Sequence, residues 1–153
     1  MRIRQLSTLV VLVLGLVIAC GGGKKADTTA TGGGEKALYD RLGGKDAITA
    51  VVDELVANVA ADARINAMFA NADIKALKIK LVDQICEATG GPCKYTGKNM
   101  KDTHTGMGIK DADFDALVED LVKALDKFQV GAQEKDELLA ALGGMRGDIV
   151  TAK

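Results

Sequence analysis

The chain has no tryptophan, two tyrosines and three phenylalanines in 153 residues, so it offers little aromatic surface on which bases could stack. Nor is it basic: 20 lysines and arginines against 21 aspartates and glutamates leave a formal charge of −1, whereas a nucleic-acid partner would require a positive face. There is one histidine, which excludes a zinc site built from several imidazoles. Sustained two-residue alternation of apolar and polar positions is missing, which argues against sheet. No segment repeats.

What is there begins with a basic head, Arg2 and Arg4, and an apolar run from Leu9 to Ile18 interrupted only by Gly15. The run is too short for an ordinary membrane span and matches a secretory signal over residues 1–19, the alternative being a plain signal-anchor helix. It ends in Val17-Ile18-Ala19-Cys20 followed by Gly21, which resembles a bacterial lipobox; that resemblance implies a lipid on Cys20 and an extracytoplasmic protein anchored to the membrane. Residue Gly21 in place of Asp implies, by the same resemblance, no retention at the inner membrane and so an outer-membrane location if the cell is Gram-negative. Removing residues 1–19 takes away two arginines and no acid, lowering the formal charge from −1 to −3. Residues 20–35 comprise Cys20 and a stretch of six glycines, two lysines and three threonines, a composition that reads as a flexible tether. The remaining 118 residues, 36–153, suffice for one small domain with one core.

Within that domain apolar residues recur at helical spacing, predicting an all-α fold. Leu38 and Leu42 mark a short helix stopped by Gly43-Gly44. Ile48, Val51, Val52, Leu55, Val56 and Val59 fall at offsets 0, 3, 4, 7, 8 and 11, one continuous face. Asp62 is placed to cap a turn running through Ile65 to Phe69, and Asp73 to cap a helix with Ile74, Leu77, Leu81, Val82 and Ile85 on its apolar side. Gly90-Gly91-Pro92 ends that helix. After a polar loop, Phe114 to Phe128 form another apolar stripe with Asp111 placed to cap, and Leu138, Leu142, Met145 and Ile149 form a last one. Gly143, Gly144 and Gly147 in that stripe imply either a break or a close helix approach. Cys86 and Cys93 are an even pair in a compartment that permits disulfides; a bridge between them and two free thiols both stay open.

The sole histidine is His104, in Met100-Lys101-Asp102-Thr103-His104-Thr105-Gly106-Met107-Gly108-Ile109. One imidazole suffices as the axial ligand of a heme whose other four ligands come from the porphyrin. That run, with Leu38-Tyr39-Asp40-Arg41-Leu42-Gly43-Gly44, Val51-Val52-Asp53-Glu54-Leu55, Asp62 through Phe69, Leu77-Lys78, Thr89-Gly90-Gly91-Pro92 and Tyr95-Thr96-Gly97 in the same order, resembles the group I truncated hemoglobins over residues 37 to 150. The resemblance implies a two-on-two helical sandwich with heme between the Asp73-capped helix and the His104 segment. It implies that His104 is the proximal iron ligand, that Phe69 packs flat on the porphyrin, and that Leu77, Leu81 and Val56 line the distal side. Met100 becomes an apolar contact on the proximal side and Lys80 a cation near a propionate. Neither domain cysteine sits in a Cys-x-x-Cys-His pattern, so the heme is expected to be heme b, held non-covalently.

Two departures from the family pattern bear on function. The distal tyrosine and glutamine of the family correspond to Val56 and Leu81, both apolar here; a donor there favours oxygen and does much less for carbon monoxide. Gln84, seven residues beyond Leu77, substitutes as donor only if the helix is rotated or the heme sits deeper. The expected role is reversible binding of oxygen, carbon monoxide or nitric oxide at the cell envelope, with an unidentified reductase as a further partner. Two alternatives accompany it: a heme enzyme removing nitric oxide or peroxide, and a heme-free helical interaction module. The missing acid–base group near the iron weighs against peroxide chemistry.

Overall fold

The computed structural model describes residues 36–152; the expected signal segment, Cys20 and the glycine-rich tether lie outside the described residues. Those described form helices and connecting turns, with no strand among them. The helices are α1 (Leu38–Arg41), α2 (Gly44–Ala61), α3 (Ile74–Ala88), α4 (Met100–His104), α5 (Asp111–Lys127), α6 (Ala132–Gly143) and α7 (Arg146–Ile149), with a 3₁₀ turn at Asn66–Phe69 between α2 and α3. No described helix is long and apolar enough to cross a membrane.

Helix α2 is the central element because its apolar residues pack against two other long helices. Ile48, Val51, Val52, Leu55 and Val59 are all buried, and they pack against α3 on one side and α5 on the other. Val82, Ile85 and Cys86 come in from α3, and Ala116, Leu121, Ala124 and Leu125 from α5, with Leu138 of α6 closing the core. Gly43 and Gly44 turn the chain from α1 into α2 with φ of 94° and 76°, a backbone that side-chain-bearing residues rarely adopt. The turn lets α1 fold back and pack on α6, where Arg41 is held by Glu134 and Glu137.

Three local expectations change. Asp62 does not cap the 3₁₀ turn; its carboxylate accepts the Arg64 backbone N–H at 2.9 Å and the Arg64 guanidinium, because Arg64 lies two residues on and offers a stronger, charged donor. Asp111 does not cap α5 either. The cap is Lys110, whose backbone N–H donates to the Asp113 carboxylate at 2.9 Å, while Asp111 pairs with Arg146. The glycines near the end mark a break rather than a close approach: α6 stops at Gly143, α7 starts at Arg146, and a Cβ on Gly143 or Gly147 would meet nothing within 4 Å. Asp73 caps α3 as expected, accepting from the Ala76 N–H at 3.0 Å.

Cys86 and Cys93 are joined in a disulfide. It ties the last turn of α3 to the loop leading to α4. Gly91 lies inside that small ring, and a Cβ there would run into the Tyr39 ring and the Cys86 carbonyl oxygen at 2.8 Å.

Candidate functional site

The approach to the site is set by α4, one and a half turns long. Asn99 caps it, its side-chain oxygen accepting the Asp102 N–H at 2.7 Å, and His104 closes it. The His104 Nδ1 lies 2.7 Å from the Met100 carbonyl oxygen. A carbonyl can only accept, so Nδ1 carries the proton and donates it, and the neutral ring's Nε2 keeps its lone pair. A backbone bond of this kind orients a ligating imidazole and fixes its tautomer.

His104 is half-buried and borders three cavities. The largest, about 390 Å³, is lined by Leu55, Val56 and Val59 of α2, Phe69 of the 3₁₀ turn, Leu77 and Leu81 of α3, and Leu117 of α5, among others. That volume lies in the range of small-molecule and cofactor sites. No charged side chain lines it; besides His104 the polar member is Asn66, whose side-chain amide has no hydrogen-bond partner among the described residues. The second cavity, about 130 Å³, holds Gln84, Met100 and Met145 as well as His104 and Leu117. The third, about 90 Å³, runs past Met68, Phe69, Met107 and Ile109.

Of the residues singled out in the sequence, Val56, Phe69, Leu77, Leu81 and His104 are thus brought to one cavity. Met100 and Lys80 are not in its lining. Met100 sits in the adjoining space, and the Lys80 ammonium donates to the Thr96 hydroxyl at 2.7 Å. Gln84 is turned to the second cavity: its side-chain N–H groups donate to the sulfurs of Met100, at 3.2 Å, and Met145, at 3.3 Å. The same Met100 therefore receives Gln84 on its sulfur and His104 on its carbonyl. Sequence reading missed Asn66, Leu117 and Met145. Leu117 was visible only as one of the α5 stripe, and nothing in the spacing of Met145 or Asn66 announces a site.

A single imidazole bordering an apolar, charge-free cavity suits a ligand that brings its own remaining coordination. Residues 37–151 match the family of bacterial-like globins. The group 1 truncated hemoglobin GlbN of Mycolicibacterium paratuberculosis is 34% identical over 116 residues, covering 76% of this chain and 85% of that protein. This chain belongs to the group I truncated globins. The truncated hemoglobin of Tetrahymena pyriformis, solved in its Fe(III) form, superposes on this globin with a TM-score of 0.73 at 31% identity, covering 75% of this chain and 98% of the other. The 2/2 hemoglobin of Synechococcus, solved in the cyanomet state with covalently attached heme, gives a TM-score of 0.71 at 31% identity, over 75% and 98% of the two chains. The truncated globin described here accordingly has the two-on-two helical architecture, α2 and α3 standing with α5 and α6 as its principal helices.

Proposed function

We propose that this globin binds heme b non-covalently, with His104 as the protein ligand to iron, and uses it to bind small diatomic gases reversibly at the cell envelope, as a carrier rather than an enzyme. The observation that carries the reading is the disposition of His104: Nδ1 spent on the Met100 carbonyl at 2.7 Å, Nε2 left with a lone pair, and a cavity of about 390 Å³ beside it. The lining suits a porphyrin, because Phe69, Leu77, Leu81 and Leu117 are apolar surfaces for a flat macrocycle and burying its area is the main source of affinity. Lys80 supplies a positive charge on α3 for a propionate. The domain's one imidazole is committed to iron and its two cysteines to each other, so neither a thiol nor a second imidazole is left to form a covalent link.

Heme held there supplies one open coordination position for oxygen, carbon monoxide or nitric oxide. The chain does the rest. Met100 holds the imidazole in the ligating tautomer, while Val56 and Leu81 keep water out of the upper pocket and offer no proton. The expected outcome is weak oxygen retention, fast release and ready oxidation to the ferric form. The lipobox-like Val17-Ile18-Ala19-Cys20 supports attachment through lipid on Cys20, with the globin outside the cytoplasm.

Visible absorption spectra of purified protein, oxidised, reduced and with carbon monoxide, test the reading together with His104→Ala. Wild type should give a five-coordinate ferrous spectrum that shifts on adding carbon monoxide, and the variant should fail to retain heme. A variant with unchanged heme content and spectrum would overturn the ligand assignment, and a colourless wild type supplied with heme would overturn the cofactor.

A further inference from the structure

Charge is spread unevenly over this domain. Between Ile74 and Lys110, which span α3, the loop after it and α4, seven lysines stand against three carboxylates; between Asp111 and Ala152 four cations stand against ten. Ion pairing sharpens the contrast. Each described arginine is held by two carboxylates: Arg41 by Glu134 and Glu137, Arg64 by Asp62 and Glu119, Arg146 by Asp111 and Asp115. Lys123, Lys127 and Lys135, on α5 and α6, pair with Asp120, Glu54 and Asp126. Lys75 and Lys80 on α3, Lys94 and Lys98 in the loop, and Lys101 on α4 have no carboxylate partner among the described residues.

Lys80, Lys94 and Lys98 are brought to one surface because the loop is laid along α3. Lys80 donates to Thr96 at 2.7 Å, the Tyr95 N–H donates to Glu87 at 3.1 Å, and the Tyr95 hydroxyl donates to the Lys98 carbonyl at 2.9 Å. Ile79, one turn after Lys75 and next to Lys80, is 53% exposed, the most exposed of the large hydrophobics among the described residues. The chain enters the domain beside the C-terminal end of α3, next to the loop that carries Lys94 and Lys98. The Tyr39 N–H donates to the Thr89 carbonyl at 2.9 Å, and Ala37 lies against Gly90, four residues before Lys94.

We propose that this lysine face rests on an anionic lipid surface. Each lysine near such a surface raises affinity about fivefold, and an isoleucine among them adds apolar contact with the headgroup boundary. A tether joined beside the face would hold it at high local concentration against the membrane, so modest intrinsic affinity is enough. The inference goes beyond gas binding and complements the lipid anchor, and it is tested without that anchor so that each can fail alone. The match to the Tetrahymena hemoglobin takes in 98% of that chain, a protein that folds with nothing corresponding to the first 35 residues here, so residues 36–153 are a self-sufficient test protein.

The experiment is co-sedimentation of residues 36–153 with vesicles of phosphatidylcholine alone or containing phosphatidylglycerol, comparing wild type with Lys94→Gln/Lys98→Gln and with Lys127→Gln/Lys135→Gln, which removes the same charge from the far side. Wild type should pellet with the anionic vesicles only and be released at about 1 M salt, where the screening length is about 3 Å. The loop variant should lose more than about tenfold in affinity and the far-side variant little. No pelleting with phosphatidylglycerol, equal pelleting with phosphatidylcholine, or equal loss in both variants would overturn the proposal. Failure on vesicles with retention on polyglutamate would assign the face to an acidic protein instead. Heme-free protein that still pellets would leave this inference standing while the heme reading falls, and red protein that does not pellet would do the reverse.

Discussion

With heme held as proposed, discrimination among gases would rest on which side chains of the cavity can donate a hydrogen bond, and Val56 and Leu81, which line it, have none to give. A neutral hydrogen bond contributes about 1 kcal/mol, close to a factor of five in a rate. Leu81→Gln is therefore expected to slow oxygen release about fivefold and to change carbon monoxide release little, as measured by ferrous stopped-flow. Oxygen release at the wild-type rate would mean that a side chain at position 81 does not reach the ligand. Position 84 is a poor place for the same device. Its amide already donates to the sulfurs of Met100 and Met145 at 3.2 and 3.3 Å, so it braces the helix carrying His104 against α3 and the α6–α7 junction. The sequence placed Gln84 on roughly the face of Leu77, but a small difference in helix rotation decides which of two adjoining cavities it enters, and spacing alone does not resolve that. The choice of His104 as the candidate was legible because it is the only histidine and its neighbours follow the family order, and the structure places it at the cavity; its bond to the Met100 carbonyl was not, because spacing does not reveal which carbonyl a ring nitrogen meets.

At the level of elements, the long helices announced themselves through their apolar stripes and the short ones did not. Of the stripe read from the sequence, Ile48, Val51, Val52, Leu55 and Val59 are buried, while Val56 is only partly so and lines the cavity; the break between α6 and α7 fell after Gly143, with Gly147 inside α7. The misplaced caps at Asp62 and Asp111 share one cause: in each case an arginine competes for the carboxylate, and for Asp111 that arginine is 35 residues away, where no local rule can see it. Arg64 also holds the Asp62 carboxyl down at about 2, from an ordinary 3.8, through its side-chain and backbone hydrogen bonds. A depressed carboxyl adds stability that is complete above its unfolded value and disappears as pH falls through the folded one. Asp62→Asn should therefore lower stability above about pH 4 and flatten the acid limb between about pH 4 and pH 2, so that variant and wild type converge at low pH; an identical limb would mean the pair persists in the unfolded chain. The disulfide belongs to this scale too. Closing so short a loop contributes about 2 kcal/mol through the unfolded state, so Cys86→Ser/Cys93→Ser should lower denaturant-determined stability by roughly that amount, and a change near zero would indicate that the α3–loop junction is held by packing alone.

For the whole molecule, the sequence conveyed the class of fold and the order of its parts, since a domain of 118 residues with four long amphipathic segments has few ways to bury them. It did not convey the lysine face, because seven lysines in a row of positions look like any solvated helix and loop until the ion pairs elsewhere are mapped. Attachment is a molecular-scale matter as well. Expressed with its own leader in a bacterial host, wild type should partition with membranes and take up labelled fatty acid, whereas Cys20→Ala should do neither; labelling of the variant would remove Cys20 as the acylated residue.

The last residues of the globin are sewn to the segment that follows the histidine: the backbone N–H groups of Thr151 and Ala152 both donate to the Ile109 carbonyl at 2.9 Å, and the Thr151 hydroxyl accepts the Ile109 N–H at 3.2 Å. Ile109 is five positions past His104, with two flexible glycines, Gly106 and Gly108, between them. Ile109 and His104 line one cavity, so loosening these three bonds would slacken that wall of the cavity before it disturbs the core.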